Sequence, residues 1–354
     1  MLINLFQIMK KIVKILHIAD MHSRHRGRLF YSSVKKINNG FIKNNYNVLQ
    51  ISDRDFLQSN IFNYKKPLFL SHIDKTIQNF LPDIILFGHV DSLNEDDFFY
   101  LRNKYKNTKF SQYFVDTLDP KFQQHERHKK RFFLKYQFCD TNFITSNPGA
   151  FNFIDQDKTF FIPNVCDNSI DILENYNFLN LKYDIFFALS HGQHRGGLKK
   201  GYTDERTVFI NQLNLVDINP NFFGIKKKPV WGNNFFNELS NTKMGINYNR
   251  GQPIKYYSSD RIALLIANGL LTFLQRKYSY EDFFEDGKDV VYFDSATDLS
   301  DKIKYYSKND MERCKIAKNG KIKYFNLFEN VSVTKYMVDK ILDNKISDKL
   351  PWMK

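Results

Sequence analysis

The chain has 354 residues, 42% of them apolar and 25% charged, and carries a formal net charge of +14. That length exceeds one ordinary core and suits two domains. The three cysteines, Cys139, Cys166 and Cys314, are too few and too scattered for a disulfide framework or a zinc ligand set.

The basic excess favours anionic partners, namely nucleotide phosphates, acidic lipid headgroups or nucleic acid, and part of it is an ordinary lysine-rich surface. A reducing, cytosolic setting fits the cysteine usage. Phenylalanine and tyrosine number 35 and 20, beside abundant Asn, Lys and Ile, a composition typical of AT-rich coding sequence. Aromatic richness therefore does not by itself mark a binding surface.

In chain order, MLINLFQIM is a short apolar stretch that precedes the lysines, the reverse of a secretory signal, and leaves Met1 and Met9 both open as the start. No run reaches the ~18 apolar residues of a membrane span. A strand at 11–20 ends in the polar loop MHSRHRGR. A helix follows at 29–44, then a strand at 46–52 and a helix near 70–80 leading into PDIILFGHV (82–90). Strands at 109–119 and 141–146 flank a charged helix at 123–137, and FFIPNVCD (160–167) closes this half.

A second series starts at KYDIFFALS (182–190) and adds strands at 221–225, 243–248, 270–274 and 289–294. Its helices fall at 203–213, 233–241, 259–268, 297–307 and 310–325, and a last one at 330–342 precedes a polar tail ending in LPWMK. Apolar strands alternating with helices predict α/β architecture, with parallel sheets covered on both faces. The expected organisation is two tandem Rossmann-like, doubly wound domains, 1–176 and 177–330. Segment 331–354 packs back on the first, and ENYNFLN (174–180) serves as hinge. A ligand cleft is expected between the domains, at the carboxyl ends of both sheets.

Two basic turns stand out in the second half. SHGQHRGGLKKG (190–201) interleaves glycines with His191, His194, Arg195, Lys199 and Lys200, so its backbone, from Gly192 onward, could cradle an anion. It lacks the order of a Walker loop. Its histidine pair has no carboxylate or cysteine at ligand spacing, so no metal is expected.

The second turn, NYNRGQPIKYYSSDRIALLIANG (247–269), places Ser258, Ser259 and Asp260 as helix-capping types before an apolar helix. Arg261 falls in the first turn, where the helix dipole disfavours a cation. It either pairs with a carboxylate such as Asp260 or helps hold an anion. Both turns would converge if they follow strands of one sheet. Trp231 either stacks on a base or belongs to the core.

In the first half, Asp20 and His89 follow strands and are candidate general bases toward an acceptor hydroxyl, with Asp91, Asp116 and Asp119 also at strand ends. The HSRHRGR run either meets an acidic acceptor or is exposed surface.

YYSSDRIALLIANG, FFEDGKDVVYF, ERCKIAKNGKIKY (312–324) and FIPNVCD resemble nucleotide-sugar glycosyltransferases of the GT-B fold, above all the CgeB-like (spore-maturation-type) branch. The resemblance covers 180–330 well and the first half in outline. It implies that Arg195 and Lys199 neutralise a donor diphosphate, with His191 and Gly192 in the same loop. Ser258, Ser259, Asp260 and Arg261 would form the phosphate-binding helix start, with Asn249 and Tyr257 nearby. Leu264 stands where many relatives place glutamate, so neither the E-x7-E pattern nor a glutamate contact to ribose carries over.

The implied reaction moves a sugar from a nucleotide diphosphate to a hydroxyl of a glycan or lipid-linked acceptor, without cofactor or metal, as in polysaccharide biosynthesis. The expected location is the cytoplasm, with peripheral contact to the inner, anionic membrane face. The rivals are a nucleic-acid-binding protein, a sugar transferase acting on modified DNA, and an epimerase or phosphorylase on the same fold. Nucleic acid is disfavoured because no recognised module is present and basic residues are spread through both halves.

Overall fold

The computed structural model describes residues 12–59, 65–122, 125–190, 198–199, 202–346 and 350–353. The first lobe runs β1 (Lys14–Ile18), α1 (Ser33–Lys43), β2 (Asn47–Ile51), α2 (Asp53–Ser59), α3 (Lys65–Phe80), β3 (Ile84–Phe87), α4 (Glu95–Lys104), β4 (Lys109–Phe114), α5 (His125–Tyr136), β5 (Thr141–Ile144) and β6 (Thr159–Phe161). Its strands form one sheet in the order β2-β1-β3-β4-β5-β6, parallel throughout. Alternate residues feed opposite cores. Ile15, Ile84 and Leu86 face one side, and Leu16, Ile18, Ile85 and Phe87 face the other against α3. Burial on both faces is why these strands read as unbroken apolar runs.

The second lobe continues with β7 (Tyr183–Ala188), the short pair β8 (Leu198–Lys199) and β9 (Tyr202–Thr203), α6 (Glu205–Asn211), β10 (Pro220–Phe223), α7 (Gly232–Ser240), β11 (Thr242–Asn247), α8 (Arg261–Ile266), β12 (Leu271–Gln275) and β13 (Val291–Phe293). Helices α9 (Ala296–Lys308), α10 (Asp310–Phe328) and α11 (Asn330–Ile341) follow. The second sheet has the order β10-β7-β11-β12-β13, again parallel.

Each sheet reverses its winding once, between β1 and β3 in the first and between β7 and β11 in the second. In open α/β sheets such switch points open a crevice at the strands' carboxyl ends. The α/β, GT-B-like architecture of two Rossmann-like lobes expected from sequence is what the chain adopts.

Two local readings need correction, and one helix forms where no element was expected. The helix expected at 259–268 is only six residues long. The segment 95–104 is a full helix, α4, begun by a capping box between Asn94 and Asp97. The expected hinge at 174–180 is built into the second lobe, where Asn175 is buried and donates to Leu239 O and Thr242 O, both at 2.8 Å.

The lobes are joined twice. The chain leaves the first lobe along 162–182 and returns through 328–330 into α11. The two crossings lie side by side, with Cys166 N donating to Phe328 O and Asn330 N to Cys166 O at 3.1 and 2.9 Å. Helix α11 then packs on α1. Asn44 Nδ2 donates to Thr334 Oγ1 at 3.0 Å, and a Cβ on Gly40 would meet Asn330 O at 2.5 Å. The backbones approach so closely that only glycine fits.

Candidate active site

Between the lobes lie two adjoining cavities of about 230 and 200 Å³. They share Ser33, Val115 and Asp260, so together they form one cleft. Arg206, Arg250 and Arg261 line the larger part, and Asp20, His89 and Arg54 the smaller.

Arg261 sits at the second lobe's switch point. Its guanidinium donates to Tyr248 O at 3.1 Å and Ala188 O at 3.5 Å, just beyond β11 and at the end of β7, and to Ser259 Oγ at 3.2 Å. It also lies 4.9 Å over the Phe187 ring. Among the described residues no carboxylate pairs with it, so the ion-pair explanation of an arginine in this turn is set aside. Burial, and then the nearby Arg206, push its pKa down. Its charge is costly where it stands, and an anion in the cleft would relieve that cost.

Arg250 has the same character: half-buried, lying 4.9 Å over Phe122 and held low by burial and by Arg206. Arg206 instead forms a two-pronged pair with buried Asp204, Nε to Oδ1 at 2.9 Å and Nη2 to Oδ2 at 2.6 Å, which fixes its fork at the start of α6.

Arg206 and Arg250 were missed from sequence. Arg206 stands in a first helical turn, the same signal that marked Arg261, and Arg250 lies inside the 247–269 stretch itself.

The other sequence-predicted donor residues divide. Asn249, Tyr257, Ser259, Asp260 and Arg261 all line the larger cavity. Asn249 shapes the turn, its Oδ1 accepting from Ser259 N at 3.1 Å and its Nδ2 donating to Tyr257 O at 3.2 Å. Ser258 is a correction. It is fully buried, its hydroxyl bound to Ser259 O and Asn247 Nδ2 at 3.0 Å each, and it does not line the cleft. Asp260 occupies the N-cap position of α8 without a side-chain cap. With α8 so short, the arginines supply the positive potential more than the helix dipole does.

His191, Gly192 and Arg195 lie outside the described residues, and Lys199 lies in β8. Their loop begins next to the Arg261 contact at Ala188, because β7 and β11 are neighbouring parallel strands.

On the first lobe, Asp20 and His89 follow β1 and β3, that sheet's switch point. Asp20 does not suit the expected role of base. Arg24 holds both its oxygens and Arg54 Nη1 adds a bond at 3.2 Å. Burial would raise this carboxyl, yet His22 and Arg24 beside it hold it far below the usual range. With both oxygens already held by guanidinium groups, this carboxylate is not free to receive a proton from an acceptor hydroxyl.

His89 is likewise corrected. Burial lowers its pKa to about 4, so it is neutral. Arg131 Nη2 lies 3.0 Å from Nδ1. Because a guanidinium only donates, Nδ1 must be the accepting nitrogen and Nε2 carries the proton. His89 is therefore a hydrogen-bond donor, not a base.

Asp116, in contrast, opens into the larger cavity with His89 Nε2 at 3.9 Å and His128 Nε2 at 3.8 Å. Burial works upward on its carboxyl, but the cations beside it, Arg131 with Nη1 3.5 Å from Oδ2 and Arg250, help keep it below its ordinary value. Trp231 belongs to neither cavity. The Arg28 guanidinium of the first lobe lies 5.6 Å over its ring.

Residues 206–339 match the glycosyl transferase-like family.

Among solved structures, HepE (Alr3699) of Anabaena in complex with UDP superposes with TM-score 0.56 and 13% identity, over 94% of this chain and 100% of that one. Sucrose-phosphate synthase (tll1590) from Thermosynechococcus elongatus gives 0.61 and 13%, over 93% and 98%. An alpha-glucosyltransferase in complex with UDP-glucose and DNA containing an abasic site gives 0.62 and 11%, over 94% and 99%. No curated protein sequence matches the chain. These likenesses establish the GT-B fold. The family match in the second lobe, on this fold, marks an enzyme that transfers glycosyl groups.

Proposed function

We propose that the protein transfers a sugar from a nucleotide diphosphate donor to a hydroxyl of a glycan or lipid-linked acceptor, as a member of the CgeB-like branch. The observation that carries this reading is the convergence of Arg206, Arg250 and Arg261 on one cavity that also opens onto the first lobe's switch point. As the glycosidic bond breaks, negative charge grows on the leaving diphosphate. Arg206 and Arg261 are already held by hydrogen bonds within the protein, so they stabilise that charge without reorganising, and Arg250 adds to the positive potential. The same positive groups supply what a divalent ion would, which supports a metal-independent reaction. Arg195 and Lys199 are assigned to the same diphosphate from the loop after β7.

Opposite them, His89 donates from Nε2 to a sugar or acceptor hydroxyl. Asp116 is the carboxylate best placed to accept the acceptor's proton if configuration inverts. The net positive charge supports contact with the anionic inner membrane face and a cytoplasmic location; among the described residues no helix is long and apolar enough to cross a bilayer.

Titration with UDP, GDP, dTDP and ADP tests the donor site, since selective binding stabilises the native state. Release of free nucleotide diphosphate on adding donor and acceptor separates transfer from epimerisation and phosphorolysis. Failure of every nucleotide to bind would overturn the reading.

A second reading, sugar transfer to DNA, draws on the similarity to the alpha-glucosyltransferase described with DNA. Duplex binding whose affinity falls steeply with salt would favour it.

A further inference from the structure

A separate cavity of about 500 Å³ lies where the first lobe's edge strand, the second lobe and the C-terminal segment meet. Phe160 and Phe161 line it from β6, Tyr256 and Phe283 from the second lobe, and Tyr336 and Trp352 from the C-terminal segment. Trp352, in the LPWMK tail, is buried against Phe328 and Tyr336 with ring centroids 5.6 and 6.1 Å away. The tail is thus a wall of this cavity.

Two ammonium groups face the same space. Lys255 Nζ pairs with Asp282 Oδ2 at 2.9 Å. Lys340 Nζ lies 4.3 Å over the Phe160 ring and has no carboxylate partner among the described residues. Among the described residues, the lining therefore carries two cations against one carboxylate.

Tyr256 has a left-handed backbone, φ +66°, which bulky residues rarely adopt. Its surroundings over-determine it. The hydroxyl donates to Asp282 Oδ2 at 2.5 Å, and the ring meets Phe283 at 4.6 Å and Phe161 at 5.3 Å. This turn places Tyr256 in the second cavity while Tyr257 lines the cleft. Strain of this kind gathers at ligand sites.

We propose that this cavity is a second ligand site, distinct from the cleft, for a saccharide bearing a carboxylate or phosphate. Aromatic side chains supply apolar surface for the sugar's C–H groups. The Lys340 ammonium, steadied by Phe160 and without a carboxylate partner among the described residues, supplies the counter-charge. The volume falls within the range of sites that hold small molecules. The proposal does not depend on the identity of the donor nucleotide.

The test is calorimetric titration of the full chain with trigalacturonic acid and, separately, glucose 6-phosphate, with maltotriose as neutral control. Saturable binding of at least one anionic sugar is expected, without maltotriose binding and undiminished by saturating UDP. The two anionic probes distinguish carboxylate from phosphate recognition. Lys340→Glu should weaken that binding by roughly tenfold or more. Its far-UV circular dichroism and thermal midpoint serve as the check on folding. No saturable binding of either sugar, equal affinity in folded Lys340→Glu, or displacement by UDP would overturn the proposal. Because the anionic sugars are first titrated without nucleotide, a failed donor assignment leaves that titration and the Lys340→Glu comparison intact.

Discussion

Lys36 Nζ and Asp171 Oδ2 lie 2.6 Å apart with both side chains buried, joining α1 of the first lobe to the segment that leaves it. Asp171 also accepts from Asn268 Nδ2 of the second lobe at 3.1 Å and from Asp167 N at 2.9 Å. One turn on, Lys43 and Asn39 hold Asp167. Positions 36, 39 and 43 share a helix face, so one side of α1 grips the crossing through two carboxylates. Lys36→Ala would leave the Asp171 charge buried and uncompensated. Urea unfolding should show a loss of about 3–5 kcal/mol. A loss under 1 kcal/mol would mean that the pair does not hold the lobes.

Arg261→Ala and Arg250→Ala should each weaken UDP binding by roughly ten- to a hundredfold, the worth of a charge-assisted hydrogen bond, while the thermal midpoint without ligand stays close to the parent. Arg261→Lys should not restore affinity, because the guanidinium reaches Tyr248 O and Ser259 Oγ from Nη1 and Ala188 O from Nη2, a fork that a single ammonium does not reproduce. Arg195→Ala should also lose affinity, and Lys199→Ala less. Unchanged titration curves in both Arg250→Ala and Arg261→Ala would refute the diphosphate assignment.

Asp20→Asn distinguishes an anchor from a base. If Asp20 orders Arg24 and Arg54, the substitution raises the acceptor KM and leaves the shape of the kcat–pH profile intact. Loss of the acidic limb of that profile would restore the base role. Asp116→Asn should be the variant that depresses kcat if configuration inverts.

Acid stability follows from the buried histidines. His17 is fully enclosed, its ring nitrogens facing Asn38 Oδ1 at 3.2 Å and Tyr113 OH at 3.1 Å, and burial lowers its pKa to about 4. His89 is lowered to about the same value. A histidine depressed in the folded state binds its proton more readily once unfolded. Its contribution is therefore intact above about pH 6.5 and is lost as pH falls toward 4, by up to about 3 kcal/mol for His17. Urea midpoints at pH 7, 5.5 and 4.5 should fall through this window, and His17→Gln should flatten the decline. A pH-independent midpoint would count against it.

The strand series was legible because parallel strands buried on both faces leave apolar runs, as in Ile84–Phe87 and Tyr183–Ala188. Helix α4 was not, because NEDDFFYLRNK mixes acids with exposed aromatics such as Phe99 and has little periodicity, although its Asn94–Asp97 cap was there to find. At the site, Arg261 announced itself by standing where a helix dipole opposes it. The state of Asp20 did not. The grip of Arg54 on it comes from another element, and only tertiary structure turns a strand-end carboxylate into a fixed anion. The same holds for His89, whose tautomer depends on Arg131 of α5.

The paired crossings at Cys166 and Glu329 bear on how substrate enters. Two strands of chain hydrogen-bonded along one line act as a strip hinge, whose easy motion is rotation about that line, with sideways sliding and twisting resisted. The jaws of the enzyme would then part along a single arc, each closing stroke returning the arginines of one lobe to the same register against Asp116 and His89 of the other.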